Sequence, residues 1–239
     1  MKTVKNLSLL ITFALLGAIV LQCNIRKKNK AEGTIVYDVT FPYLEDPILA
    51  NVFPEEMKLT FQGENTHGYL KSLGGIVTSE FISDERNRTF VQLLKAFSDR
   101  YVMELNEEQV RDYLSIKPQM EFTSTGKTKE ICGYTCYETI ANFKTDSTPP
   151  VHLYHTKELD IPSPNWFNQY AKIEEVLLGY EIEQYGMRMK LTAREVDING
   201  IDNSVFIVDP KYQTINARKM ESVIDSMMGN LRGTSLSVN

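Results

Sequence analysis

Apolar side chains recur at every second position through most of this sequence. That period restricts the chain to strands with one buried and one wet face, as in antiparallel sheets. Thr34–Phe41 sets Ile35, Tyr37, Val39 and Phe41 on one side and Thr34, Asp38 and Thr40 on the other. Met57, Leu59 and Phe61 alternate with Lys58 and Thr60, and Tyr101, Met103 and Leu105 with Val102 and Glu104. Turn residues punctuate the runs: Gly63-Glu64-Asn65, Gly74-Gly75, Asp84–Asn87, Ser98-Asp99 and Asn199-Gly200.

The clearest hairpin is Leu178–Val196 around Tyr185-Gly186. A two-residue turn there sets Gln184 opposite Met187, Glu183 opposite Arg188 and Glu181 opposite Lys190. Ile182 then faces Met189, and Tyr180 faces Leu191. Opposite charges pair on one face and apolar groups on the other, each pair worth about 0.2–1 kcal/mol. A one-residue slip would destroy both patterns, so the register is fixed by the sequence alone.

Helices are few. Asn106 with Gln109 forms a capping box ahead of a short helix, Glu107–Leu114. A weaker pattern suggests a second helix within Asn165–Glu175. Met220, Val223, Ile224, Met227, Met228 and Leu231 recur at helical spacing over Asn216–Leu231, with Gly229 and Gly233 as its stop. The expected fold class is therefore α+β and mostly antiparallel β: a curved, open, barrel-like sheet with a few covering helices, including the amphipathic C-terminal one.

Charge divides the chain by position. Residues 1–30 carry six bases and no acid, which leaves 20 bases against 31 acids in residues 31–239, a net of -11. Such a split marks a targeting or membrane-contact segment joined to a folded body. Lys2 and Lys5 precede the apolar run Leu7–Leu21, about 22 Å long as a helix and short of a ~30 Å hydrocarbon core. This suits a secretory leader. Cys23 follows in a context resembling a bacterial lipobox, with Gln22 where a small residue is usual. The expected organisation is a signal peptide (1–22), a lipidated basic tether (23–32), one sheet domain (33–231) and a tail (232–239). The alternative is an uncleaved signal anchor, since Arg26, Lys27, Lys28 and Lys30 follow the apolar run and would hold that side in the cytoplasm. The acidic body argues against nucleic acid as a partner.

The opening strand Gly33–Phe41, Thr128–Tyr137 with Gly133-Tyr134-Thr135-Cys136, Gly186–Val196 and Val205–Tyr212 together carry a resemblance. They look like a family of exported bacterial proteins, many of them lipoproteins, of uncharacterised function. That family is similar in fold to the Lol-system lipoprotein carrier and receptor (LolA-like). The resemblance implies a curved sheet forming an open barrel, with helices over a concave, lipid-binding face. Its motifs are hairpin turns and strand ends, and they name no lipid-contacting residue. In the family the last strand often ends Phe-x-Ile-Pro-x-x-Tyr, whereas here Asp209 stands before Pro210.

Chemistry-bearing residues are sparse. His152 and His155, three apart on a strand, point to opposite faces and cannot share a metal, so no metal site is expected. No nucleophile elbow, zinc-protease or phosphate-loop motif occurs, and no cofactor is expected. Cys132 and Cys136 are spaced Cys-x₃-Cys. A Gly133-Tyr134-Thr135 loop would set them across its neck as a disulfide, and separate buried thiols are the alternative. The stripe Met220, Val223, Ile224, Met227 and Met228 either packs on the sheet or lines a lipid-sized cavity, a use to which methionine is suited. The expected function is that of a non-enzymatic envelope lipoprotein on the periplasmic side of the outer membrane. It would be held to the membrane through Cys23 and would bind a lipid or acyl chain. The competing expectation is a periplasmic interaction or sensor protein with a filled sheet interior and a protein partner.

Overall fold

The computed structural model describes residues 32–44, 52–144, 148–184 and 187–236. Cys23, the leader, almost all of the tether and the Tyr185-Gly186 turn lie outside these residues.

Two antiparallel meanders make one sheet. The first runs β1 (Glu32–Thr40), β2 (Glu56–Gln62), β3 (Asn65–Ser72), β4 (Val77–Asp84), β5 (Thr89–Ala96) and β6 (Asp99–Asn106). The second runs β7 (Met120–Ile131), β8 (Tyr134–Phe143), β9 (Val151–Thr156), β10 (Val176–Gln184) and β11 (Met187–Asp197). β11 pairs with β1, and β12 (Gln213–Thr214) adds a short parallel edge on β6. The order across the sheet is β12-β6-β5-β4-β3-β2-β1-β11-β10-β9-β8-β7, twelve strands in an open sheet. Two α-helices are described, α1 (Glu107–Ser115) and α2 (Ala217–Leu236).

The connection between the meanders bends the sheet. It must join β6 to the far edge at β7, ten strand spacings away, or about 48 Å if the sheet were flat. The chain available is the nine-residue helix α1, about 14 Å long, and four further residues spanning about 14 Å at most. Much of that reach is spent along the strands, because β6 ends and β7 begins at opposite ends of the sheet. The sheet therefore curls until its flanks approach, and α1 lies within the curl.

The expected register of β10 and β11 holds at every position named, from Gln184 opposite Met187 to Tyr180 opposite Leu191. The ion pair is diagonal: Arg188 Nε meets Glu181 Oε2 at 2.7 Å. The capping box also holds, with Gln109 N donating to Asn106 Oδ1 and Asn106 N donating to Gln109 Oε1, each at 3.0 Å.

Four expectations need correction. No helix forms within Asn165–Glu175. Instead the buried Asn165 side-chain amide donates to the carbonyls of Ile173 and Glu175, folding the segment back on itself. Gly229 and Gly233 do not stop α2, which runs to Leu236 and so takes in most of the expected tail. Val205–Tyr212 is not a strand: Asn203–Phe206 is a 3-10 turn, and Phe206, Val208 and Tyr212 pack over Ile82, Leu93 and Val102. As a result β4–β6 are covered on both faces, because Leu94 and Met103, next in sequence to Leu93 and Val102, pack on the other side.

The fourth correction concerns the cysteines. Cys132 and Gly133 are themselves the two-residue turn, with φ of +52° and +79°, and Ile131 pairs with Tyr134. This is the double positive-φ geometry favoured between twisted strands. Cys136 lies opposite Lys129, not opposite Cys132, and both cysteines are free thiols. Burial pushes the Cys136 thiol up to about 11, which keeps it protonated near neutrality.

Candidate functional site

Inside the curl lies a cavity of about 190 Å³. The sheet supplies Met57, Leu59, Leu70, Phe81, Phe90 and Met103; α1 supplies Val110, Tyr113 and Leu114, and Lys117 follows it two residues past its end. The remaining wall comes from the β9–β10 segment, chiefly Asn165 and Phe167, and from Tyr180 and Ile182 of β10. The alternation legible in the sequence thus produces the apolar wall, and the folded-back 165–175 segment closes it.

Aromatic packing holds the wall in place. Phe167 packs against both Phe81 and Phe90, with ring centroids 5.0 and 5.1 Å away, completing a triangle with those two rings, which are 6.1 Å apart. Neighbouring Trp166 donates its indole N–H to Ser83 Oγ at 2.7 Å, tying the segment to β4. Phe81 lies over Gly68, its cross-strand partner; a Cβ at that glycine would come 2.0 Å from the ring. Absence of a side chain there is what lets the ring lie flat against β3.

A tyrosine row continues the packing. Tyr37 donates to the Leu177 carbonyl at 2.8 Å from a fully buried position, Tyr180 meets Tyr37 edge-on, and the Tyr170 hydroxyl donates to the Glu181 carbonyl. Burial raises the pKa of all three phenols, so they stay neutral, and Tyr37 and Tyr170 act as fixed donors.

The C-terminal stripe does not line this cavity. Met220, Ile224 and Met228 are buried against Phe53, Val77, Leu94 and Leu105, with Val223 and Met227 packed at the margin. None of the five is among the lining residues. The cavity-lining expectation for them is corrected in favour of packing on the sheet. The true lining was signalled only weakly in the sequence, because an alternating strand pattern does not reveal which buried face stays unfilled.

A second polar group sits on β7–β9. A bulge at Thr125–Lys127, with Gly126 at φ +71°, brings Thr125 over Glu138. Glu138, 6% exposed, accepts from Thr125 Oγ1 at 2.8 Å and Tyr154 OH at 3.1 Å, and pairs with His152 Nδ1 at 2.8 Å. Hydrogen bonds from His152 and Thr125 lower its carboxyl to about 2. His155 has other partners, Thr139 at 2.9 Å and Glu175 at 3.3 Å, so the two histidines do not converge. Among the described residues no group of three His, Cys, Asp or Glu could hold a metal ion.

These features define a class: a curled, open antiparallel sheet with a small apolar cavity between its inner face, a crossover helix and a returning loop. Among solved structures the chain is similar to PNGF-II, with a TM-score of 0.51 and 15% identity over 81% of this chain. That likeness concerns fold alone, and the chain spans about a third (32%) of the length of PNGF-II. Weaker likenesses are to MucB bound to periplasmic MucA (TM-score 0.33, 5% identity, 77% of this chain and 57% of that one) and to the Pseudomonas aeruginosa MucA/MucB complex (0.33, 9%, 79% and 59%). At those scores they support no statement about this chain. No protein-family model and no curated protein matches it. No helix among the described residues is long and apolar enough to cross a membrane.

Proposed function

We propose that this chain is a cell-envelope lipoprotein on the periplasmic side of the outer membrane, anchored through Cys23, that binds an apolar or amphipathic group within its curled sheet. The reading is for a binding protein and assigns no catalytic step. The observation that carries it is the cavity beneath α1, whose walls are mainly aromatic, Leu, Met and Val side chains, with polar groups such as Glu80, Gln92, Lys117, Asn165 and Glu183 making up about a third of the lining. Its 190 Å³ falls below the ~300–1,000 Å³ typical of drug-sized ligands, so the occupant is a short segment such as the end of an acyl chain, not a whole lipid.

The same small volume favours, as a second reading, an interaction or sensor protein whose sheet interior is essentially filled. Native mass spectrometry of full-length protein extracted gently from membranes separates the two. The binding reading expects a diacylated or triacylated N-terminal Cys23 and an additional mass that is lost on denaturation. An acylated chain with no bound mass, and no uptake of added fatty acid, would overturn the binding role while leaving the anchor intact.

A further inference from the structure

At the end of the sheet away from Glu32, two turns project side by side. Leu73–Gly75 joins β3 to β4, and Phe97-Ser98 joins β5 to β6. Phe97 N donates to the Ile76 carbonyl at 3.3 Å, fixing one turn against the other. Both tips are apolar and bare: Phe97 is 69% exposed and Ile76 49%.

The local chemistry opposes this arrangement. The Phe97-Ser98 hairpin closes with Phe97 at φ +56°, where Asn, Asp or Gly would be favoured, and Leu73 sits at φ +51°. An aromatic in the left-handed region, with its ring in water, gains nothing for the fold by itself.

Beside the tips runs a row of bases. Lys71, Thr78, Lys95 and Arg100 are successive cross-strand neighbours, with Lys95 directly opposite Arg100. Like charges placed opposite one another are destabilising. Among the described residues none of the three bases forms an ion pair. Asp99 borders the second turn, and Glu80 lies against Thr78 of the row but is paired with His67, in a body of net charge -11. Projecting apolar tips flanked by unpaired bases complement a surface that is apolar inside and anionic outside. Protein interfaces are depleted in lysine, whereas lysine stems are suited to the bilayer interface.

We propose that this corner docks on an anionic lipid bilayer, with Phe97 and Ile76 entering the headgroup region and Lys71, Lys95 and Arg100 on lipid phosphates. The contact is distinct from the Cys23 anchor and from the cavity. The test uses the full chain reconstituted in phosphatidylglycerol-containing vesicles with brominated acyl chains, comparing Phe97→Trp with Ile198→Trp. Ile198 is also exposed but follows the opposite end of β11. Trp166, the chain's single tryptophan, gives a background measured on the unaltered chain.

The expected result is loss of the added emission at position 97, retention at position 198, and recovery at 97 when Lys95→Glu and Arg100→Glu are added. The reading is of depth, so it holds however the N-terminus is attached. Unquenched emission at 97 in a folded chain, or equal quenching at both positions, would overturn the proposal; the former would leave a protein partner as the occupant of the corner. Should Phe97→Trp fail to fold, Ile76→Trp reports on the same corner.

Discussion

Gly68→Ala tests whether the cavity wall is built as described. A methyl group there would lie 2.0 Å from Phe81 Cε1, 2.5 Å from Cζ and 2.6 Å from Cδ1. Ordinary carbon contacts are about 3.5–4.0 Å, so the ring must retreat by roughly 1.5 Å. Phe167 and Phe90 stand on its other flanks, and the free space is the cavity. Overpacking of this kind costs about 1–3 kcal/mol, offset by about 0.4–1 kcal/mol from the stiffer unfolded chain. The net loss, about 1.3 kcal/mol at the centre of these ranges, lowers Tm by roughly 3–5 °C for a domain of this size. The assay is thermal unfolding followed by circular dichroism, with fatty-acid uptake measured in parallel. Phe81→Leu should remove the clash, so the double variant should be more stable than the sum of the single effects by about 1 kcal/mol. An unaltered or raised Tm for Gly68→Ala, or strictly additive effects in the double variant, would refute the packing argument.

Three further outcomes are expected. Ile224→Ala or Met228→Ala should each cost about 2–5 kcal/mol in denaturant unfolding while leaving ligand uptake by the folded chain unaltered, since neither lines the cavity. Alkylation followed by mass spectrometry should label both Cys132 and Cys136 in denatured, unreduced protein and label Cys136 slowly in the native state, where its thiol is held up to about 11; failure to label either without reductant would restore the disulfide. Glu138 titrates lower in the folded chain than its ordinary 4.5, so its contribution to stability is full above that value and is lost as pH falls toward about 2. Glu138→Gln should flatten stability against pH in that window, and an unchanged slope would exclude the proposed pairing. His155, held low mainly by burial, acts in the same direction at higher pH, its contribution fading as pH falls below about 6.5.

How far the sequence was legible depended on whether a local rule had a competitor. The β10–β11 register was readable because charge and apolar patterns agreed at every rung. The α1 cap was readable because Asn106 and Gln109 satisfy each other without outside help. The expected cysteine hairpin is out of place by one to two residues: alternation read through Ile131 and Tyr134 identifies Cys132-Gly133 as the loop, since Gly133 favours positive φ there. The 165–175 segment defeated a helical reading because Asn165 takes the carbonyls of Ile173 and Glu175, a contact no periodicity encodes. The cavity was the least legible element. Its wall depends on which inner-face residues the 165–175 segment reaches, and that is set by tertiary packing.

The pairing of β1 with β11 has a consequence for how the domain is made. Each meander is built from neighbouring hairpins, but Ile35 must wait for Val196, some 160 residues later, before the two halves are joined. Contacts of that sequence separation form slowly. Synthesis proceeds from the N-terminus, so β1 spends that interval as a bare edge carrying Ile35, Tyr37 and Val39, the kind of edge that recruits other chains. Arg194, which reaches from β11 to Asp38 and Glu56, latches the seam only at the last step. A chain interrupted before Met187 would therefore yield an aggregating fragment, not a working half-domain, and its growing chain has particular need of a chaperone until β11 is in place.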